Sequence, residues 1–236
     1  NRGKSVIFNI IEPRRAGCAL DLVEKMETAL WTSPASDDVL TPYGIPYWIV
    51  KNATTGFNGG APSGHTSVAG ISPTTYSKWK NYSGQYSQVS KTDLIAKIRT
   101  ALTKTRFVTP ASVKLSQYTS ETHPYSYQVN ETTQQSIENI GEAQNENLGR
   151  DVASMDGQLV IRRNPVEYTP ELDGDSTNPV YGINYETFRG AVMTGMDMKE
   201  SPAIRVAGRH RVWAQYVDHC YQLLCLDRRR NFVFYV

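Results

Sequence analysis

Residues 90–107, SKTDLIAKIRTALTKTRF, carry the strongest secondary-structure signal in this chain of 236 residues. Apolar side chains recur there at helical spacing on one face, at Leu94, Ile95, Ile98, Ala101 and Leu102. The preceding Ser90-Lys-Thr-Asp93 has the form of a capping box, with aspartate in place of the preferred glutamate. The pattern therefore predicts a helix of about 15 residues, about 22 Å long, within residues 91–107.

The end of the chain has strand character. Residues 210–236, HRVWAQYVDHCYQLLCLDRRRNFVFYV, are rich in Val, Tyr, Trp and Phe, which favour strands. They predict a long strand, a turn around Asp227–Arg230 and a closing strand. Further strands are predicted over residues 111–129, 156–168 with a break at Asn164-Pro165, and 178–195, and further helices over residues 21–31 and 132–148. The fold class is therefore α+β.

Two segments do not fit this alternation of helices and strands. Residues 1–16 contain a β-prone piece, Val6–Ile11, followed by Pro13 and two arginines, and they predict an extended arm. An aromatic, β-prone run at residues 41–50 precedes a glycine-rich loop over residues 53–72. Because apolar residues punctuate this loop, we expect it to be structured, to project and to dock elsewhere.

Composition narrows the function classes. The net charge of +2 argues neither for a dedicated nucleic-acid binder nor for an acidic-tail protein. A hydrophobic content of 39% is low, which fits either arms completed by other chains or an ordinary polar surface. Acidic side chains concentrate in residues 131–156 and arginines in residues 203–230. This asymmetry suits head-to-tail contacts between copies, and it equally suits two unrelated solvated faces.

No pattern for catalysis or metal binding emerges from the sequence. The stretch Gly56–Gly64 lacks the GK[ST] ending of a phosphate loop, and Ser63 has no GxSxG context. Three cysteines, Cys18, Cys220 and Cys225, have no CxxC spacing and indicate a reducing compartment. No apolar run is long enough to span a membrane. We therefore predict no enzymatic activity, no cofactor, no metal site and no membrane contact.

One charged run has a plausible partner. Arg228, Arg229 and Arg230 could contact nucleic-acid phosphates, or acidic groups of a neighbouring copy such as Glu138 and Glu142. A solvated turn is the alternative interpretation.

Several stretches, taken in order, resemble the major capsid proteins of tailed bacteriophages. They are GIPYWIV (44–50), GFNGGAPSGHTSVAGI (56–71), YSKWKN (76–81), DLIAKIRTALTKTRF (93–107), and residues 178–234, in which an Asn-Pro-Val-Tyr-Gly-Ile-Asn turn precedes a final long strand near the arginines. The resemblance covers roughly residues 25–235, and its strength lies in the ordered set.

That family is similar in fold to the Hong Kong 97-type capsid protein. The resemblance implies an N-terminal arm over residues 1–20, a helix and connector over 21–44, an extended loop region over 45–80, a peripheral domain with a spine helix over 81–129, an axial domain over 130–202, and return strands of the peripheral domain over 203–236. In such proteins the extended loop lies over a neighbouring subunit. The expected inter-subunit contacts in the loop are Phe57, Asn58, Gly59, Gly60, Val68 and Ile71.

The resemblance also implies a function. Many copies of the chain would assemble into hexamers and pentamers that form an icosahedral head around double-stranded DNA, contacted without sequence preference. Portal, scaffold or cementing proteins are further expected partners. The location would be the virion, assembled in the bacterial host cytoplasm. A scaffolding segment, when such proteins carry one, precedes the arm, and an opening at Asn1 without methionine would agree with its removal.

Three other readings remain open. An encapsulin-like nanocompartment shell would share the fold but hold an enzyme cargo and no genome. A β-rich phage tail or carbohydrate-binding module would be monomeric or trimeric and would not form shells. A hydrolase using Ser63 or a cysteine would lose activity on alanine substitution. For the capsid function, we expect deletion of residues 53–72 to leave a soluble subunit that forms no complete shells.

Overall fold

The computed structural model describes residues 4–38, 40–106, 125–146, 159–210 and 212–236. Within these ranges the chain has four α-helices and thirteen strands, which confirms the α+β class. The helices are α1 Lys4–Leu30, α2 Ile45–Trp48, α3 Leu94–Thr105 and α4 Glu131–Glu146. The strands are β1 Gly56–Gly59, β2 Asn81–Gln85, β3 Tyr125–Val129, β4 Val160–Ile161, β5 Asn164–Tyr168, β6 Val180–Asn184, β7 Phe188–Val192, β8 Lys199–Glu200, β9 Ile204–Arg205, β10 Trp213–Ala214, β11 Val217–Asp218, β12 Tyr221–Cys225 and β13 Phe232–Tyr235.

A mixed seven-stranded sheet in the order β1-β2-β13-β6-β3-β5-β4 organises the fold. Strand β13, the third in this order, runs parallel to β2 and antiparallel to β6. Because neighbouring side chains on a strand point to opposite faces, β13 feeds two separate cores. Phe232 and Phe234 enter the core beneath α3, and Val233 enters the core beneath α2. The sheet is therefore covered on both faces.

The helix predicted from residues 90–107 is present as α3. Its apolar stripe, Leu94, Ile95, Ile98, Ala101 and Leu102, is buried as expected. The capping box forms in modified geometry. The Asp93 amide donates to Ser90 Oγ at 3.1 Å, and the Asp93 carboxylate accepts from the amide of Ser87 at 2.7 Å instead of from Ser90. Helix α3 packs against the sheet because its apolar stripe matches the aromatic face of the central strands.

The expectation of an extended, β-prone arm is wrong over the described residues 4–16, because Lys4–Leu30 form the single helix α1. The predicted helix over residues 21–31 is its C-terminal part. Once a helix has nucleated, each added residue contributes a hydrogen bond, so the good helix formers of residues 14–30 extend it backwards through Pro13. Ile45–Trp48 was likewise expected to be β-structure and forms the short helix α2, with proline in the first turn, where proline fits best.

Gly44 makes the turn before α2 possible. A Cβ atom there would lie 2.4 Å from the carbonyl oxygens of Leu30 and Thr32, so any side chain would separate α1 from α2. This close approach positions Tyr47 and Trp48, both buried, in the second core. The sequence pattern alone carried no sign of it.

Two other expectations need correction. The strand break expected at Asn164-Pro165 lies at Arg162 and Arg163, whose positive φ values of 49° and 64° form the turn between β4 and β5. The long strand expected near the end is divided into β10, β11 and β12. The helix predicted over 132–148 and the strands predicted over 178–195 are confirmed within the described residues. Of the predicted strands over 111–129, β3 is observed, and residues 111–124 lie outside the described ranges.

Candidate interaction surface

The six loop residues expected to contact a neighbour mostly lie against their own chain. Phe57 packs edge-on against Tyr82, with ring centroids 5.2 Å apart. Val68 is fully buried in the second core, and Ile71 is 39% exposed. The loop is structured, as expected, and Phe57 and Val68 hold it against its own chain. The role of Phe57, Asn58, Gly59, Gly60, Val68 and Ile71 between subunits stays a prediction.

Arg228 holds this loop in place and is fully buried. Its guanidinium donates to the carbonyl oxygens of Trp48 at 2.7 Å, Trp79 at 2.8 Å and Gly60 at 2.7 Å, and to Asn81 Oδ1 at 3.2 Å. Burial lowers the pKa of Arg228 to about 10. Within the described residues no carboxylate forms an ion pair with it. The Arg228 side chain therefore joins separate segments of its own chain, and it is not accessible to phosphates or to another copy.

The other predicted charge contacts are also not brought together. The Arg229 guanidinium lies 3.8 Å from the centroid of the Phe57 ring. Arg230 lies 3.4 Å from Asp227 Oδ2 and 3.9 Å from a Glu186 carboxylate oxygen. Glu138 is exposed on α4, where it accepts a hydrogen bond from Gln134 at 2.9 Å, and Glu142 lies one turn further along the helix backbone. Their role as contacts between copies stays a prediction.

A long two-stranded ribbon is the most unusual surface of the molecule. Residues 188–206 run outwards through β7, β8 and β9, and residues 212–225 return through β10, β11 and β12. None of the ribbon's strands, β7 to β12, belongs to the seven-stranded sheet. Eight large apolar side chains on it are 39–66% exposed: Val192, Met193, Met198, Ile204, Val212, Trp213, Tyr216 and Leu224.

Helix α1 lies along one face of this ribbon. Arg15 Nε donates to Glu200 Oε1 at 2.8 Å, and the Tyr221 hydroxyl donates to the Met26 carbonyl at 3.5 Å. Between helix and ribbon runs an open groove of about 740 Å³. Its lining includes Ala16, Ala19, Leu22, Trp213 and Val217. The opposite face of the ribbon carries Ile204, Val212 and Tyr216, because side chains alternate along each strand.

The tip of the ribbon is basic. Arg205, Arg209 and His210 are exposed around a tight turn in which Gly208 has a φ of 75°. Neither Arg205 nor Arg209 forms an ion pair with any residue that the structure describes. The sequence from 201 to 217 contains no aspartate or glutamate. The tip therefore presents uncompensated positive charge beside exposed apolar side chains.

Helix α4 presents the opposite charge. Residues 131–146 contain four glutamates and no basic residue. Glu131, Glu138 and Tyr168 line an open hollow of about 460 Å³. The Tyr168 hydroxyl donates to the Asp173 carboxylate at 2.5 Å, and this hydrogen bond raises the pKa of Tyr168 to about 12. The tyrosine therefore stays neutral, and its ring, 45% exposed, can accept a cation above its face.

The nucleophilic and metal-ligating groups do not converge in the described residues. His65 Nε2 lies 2.9 Å from the carbonyl oxygen of Pro34, while Ser63 is exposed. Burial raises the pKa of the Cys225 thiol to about 12, so it stays protonated at neutral pH. Where side chains are described, no group of three His, Cys, Asp or Glu residues could hold a metal ion. Likewise, no described helix has the length and apolar character needed to cross a bilayer.

The sequence interpretation missed the ribbon, although a signal for it exists. Val212-Trp-Ala-Gln-Tyr-Val217 and Ala203-Ile-Arg-Val206 alternate around the turn residues Ala207-Gly208, which is the pattern of a hairpin. The pattern differs from that of an ordinary surface hairpin, because it has no face made of polar side chains. No protein-family model and no curated protein sequence matches this chain.

Proposed function

We propose that this chain is the major capsid protein of a tailed bacteriophage, a non-enzymatic subunit that assembles through hexamers and pentamers into an icosahedral head around double-stranded DNA. The ribbon of residues 188–225 carries this proposal, because it exposes eight large apolar side chains that the chain's own core does not cover. The ordered resemblance of residues 25–235 to capsid proteins supports the class. The sheet with α3 beneath it is compatible with a Hong Kong 97-like fold, in which α3 would be the spine helix.

The size of the exposed apolar surface favours assembly from many weak contacts. Burying one large apolar side chain fully contributes about 1.5–3 kcal/mol, so covering eight half-exposed ones contributes on the order of 8 kcal/mol. The loss of translational and rotational freedom on association costs about 4–15 kcal/mol. A single contact of this kind is therefore weak, and a closed shell in which every subunit makes several contacts is stable.

Electron microscopy of the purified protein tests the proposal. We expect closed shells, and particles from infected cells should contain DNA and a portal at one vertex. Shells that hold an enzyme and no genome would instead indicate an encapsulin-like compartment. A wild-type protein that stays monomeric or trimeric at high concentration would refute the proposal.

A ribbon truncation gives the sharper test. Replacing residues 193–220 by Asn-Gly joins Val192 to Tyr221, which are already paired across β7 and β12, through a two-residue hairpin turn. We expect a folded subunit that forms no shells. Deletion of residues 53–72 is no longer a suitable comparison, because it removes the buried Val68 and the Phe57–Tyr82 packing and should unfold the subunit itself. Normal shells from the ribbon truncation would contradict the assignment of the ribbon.

A further inference from the structure

We propose that the basic tip of the ribbon of one copy docks on helix α4 of a second copy, with Arg205 and Arg209 facing Glu131 and Glu138 around the exposed ring of Tyr168. This inference rests on the proposed self-assembly and names the two surfaces that meet. It replaces Arg228 as the basic partner, because Arg228 is fully buried by its own chain.

The two surfaces are complementary in charge, and on α4 the described carboxylates accept hydrogen bonds only from the neutral Gln134 and Gln135. Arg205 and Arg209 are exposed and form no ion pair with the described residues, and the same holds for Glu131 and Glu138. Glu131 and Glu138 are seven residues apart on a helix and lie on one face, where they border the hollow beside Tyr168. A planar guanidinium entering that hollow can pair with a carboxylate and stack on the tyrosine ring.

The composition of the tip favours a protein partner over nucleic acid. Trp213 pairs with Arg205 across the ribbon and is 66% exposed, and Ile204 and Val212 are 54% and 39% exposed on the other face of the ribbon. Phosphate contacts would use the arginines and leave these apolar side chains in water. A protein partner can bury Trp213 beside Arg205, and tryptophan and arginine are both enriched among the residues that contribute most to the binding energy of protein interfaces.

The contact is heterologous, because the tip and α4 are different parts of the chain. Each copy therefore offers one tip and one α4, so successive copies can form a closed ring. This has a consequence that an experiment can isolate. Two variants with opposite defects should restore each other when mixed, although neither assembles alone.

The experiment uses full-length chains with matched charge changes. The tip variant carries Arg205→Glu and Arg209→Glu, and the helix variant carries Glu131→Arg and Glu138→Arg. The control variant carries Lys91→Glu and Arg163→Glu, which make the same charge change as the tip variant at two exposed positions. Assembly is followed by analytical ultracentrifugation and electron microscopy, and folding of each subunit by circular dichroism.

We expect the control variant to assemble like the wild type. The tip variant and the helix variant alone should associate at least about 100-fold more weakly, because like charges then face each other. An equimolar mixture of the two should assemble again, and only into even-membered rings, because the two variants must alternate. Even-membered rings from the mixture would also exclude simple misfolding of either variant.

Several outcomes would overturn the inference. Normal shells from the tip variant alone, or no recovery on mixing, would show that the tip and α4 do not meet. If the tip variant forms normal shells but loses salt-dependent binding to double-stranded DNA, the tip contacts nucleic acid instead. Failure of the wild type to assemble would refute the proposed function, whereas assembly of both wild type and tip variant would refute this inference alone.

Discussion

Replacement of Arg228 by methionine should destabilise the subunit strongly although it removes a buried charge. The guanidinium joins three separate parts of the chain through the carbonyl groups of Trp48, Gly60 and Trp79. Methionine has a similar length but no hydrogen-bond donor, so these carbonyl groups lose their partner in the interior. The segment between α2 and β2 would then lose its anchor at Arg228 and keep only its other contacts, among them the pairing of β1 with β2.

The magnitude follows from two opposing effects. Three buried carbonyl groups without partners cost about 2 kcal/mol each, or about 6 kcal/mol in total. Removing the charge relieves its desolvation, which the lowered pKa of about 10 measures as about 3 kcal/mol. The difference is a loss of about 3 kcal/mol in the free energy of unfolding. For a chain of this length that corresponds to a fall in Tm of about 10 °C.

Urea unfolding followed by tryptophan fluorescence measures this loss, since Trp48 and Trp79 both accept from Arg228. Dilute subunits are compared, with sedimentation confirming the same oligomeric state in each sample. Two controls separate the buried bonds from the loss of an arginine as such. Arg229→Met removes a guanidinium above a ring and should cost about 1 kcal/mol, and the exposed Arg163→Met should cost almost nothing. An Arg228→Met variant as stable as Arg163→Met would show that the buried hydrogen bonds of Arg228 do not stabilise the subunit.

Two further substitutions, each with a control, should change the stability of the subunit. Burial raises the pKa of Tyr127 to about 12. The unfolded chain therefore loses this proton from about pH 10, while the folded chain keeps it. The neutral tyrosine stabilises the folded chain fully below about pH 10, and about 3 kcal/mol of stability is lost as the pH rises towards 12. Tyr127→Phe should therefore flatten the fall in stability over that range in pH-dependent urea unfolding, whereas the exposed Tyr76→Phe should not. Gly182→Ala should cost at least about 3 kcal/mol, because its Cβ would lie 2.2 Å from the Phe232 ring, and a thermal melt should show it. Gly190→Ala, also in a strand but with open space around it, should leave the Tm nearly unchanged.

Local sequence patterns predicted the elements whose stability is local. Helix α3 combines an unbroken apolar stripe with its own capping residues, so the sequence alone indicates both its position and its buried face. The polar helix α4 was predicted from a thinner apolar stripe that includes Ile137 and Ile140. The β-prone residues of 4–11 and 45–48 gave the opposite result, because helix propagation in α1 and the packing of α2 under the sheet outweigh a weak strand propensity.

The interaction surface was harder to predict because burial of a charged or apolar residue depends on distant parts of the chain. The three arginines of Arg228–Arg230 are consecutive and those of the ribbon tip are spread over residues 205–211. Arg228 is nevertheless closed to a neighbour, because it is fully buried and carbonyl oxygens from positions 48, 60 and 79 accept its hydrogen bonds. Likewise Val68 and Ile204 are both apolar residues outside the predicted helices. Val68 is buried in the core of its own chain, whereas Ile204 is 54% exposed. A residue can therefore bind a neighbouring copy only where its charge is unpaired or its apolar surface is exposed in its own chain. By that criterion Val68 of the glycine-rich loop belongs to the subunit's own core, and the ribbon tip, where Arg205 and Arg209 form no ion pair with the described residues and lie among exposed apolar side chains, is where a second copy should bind.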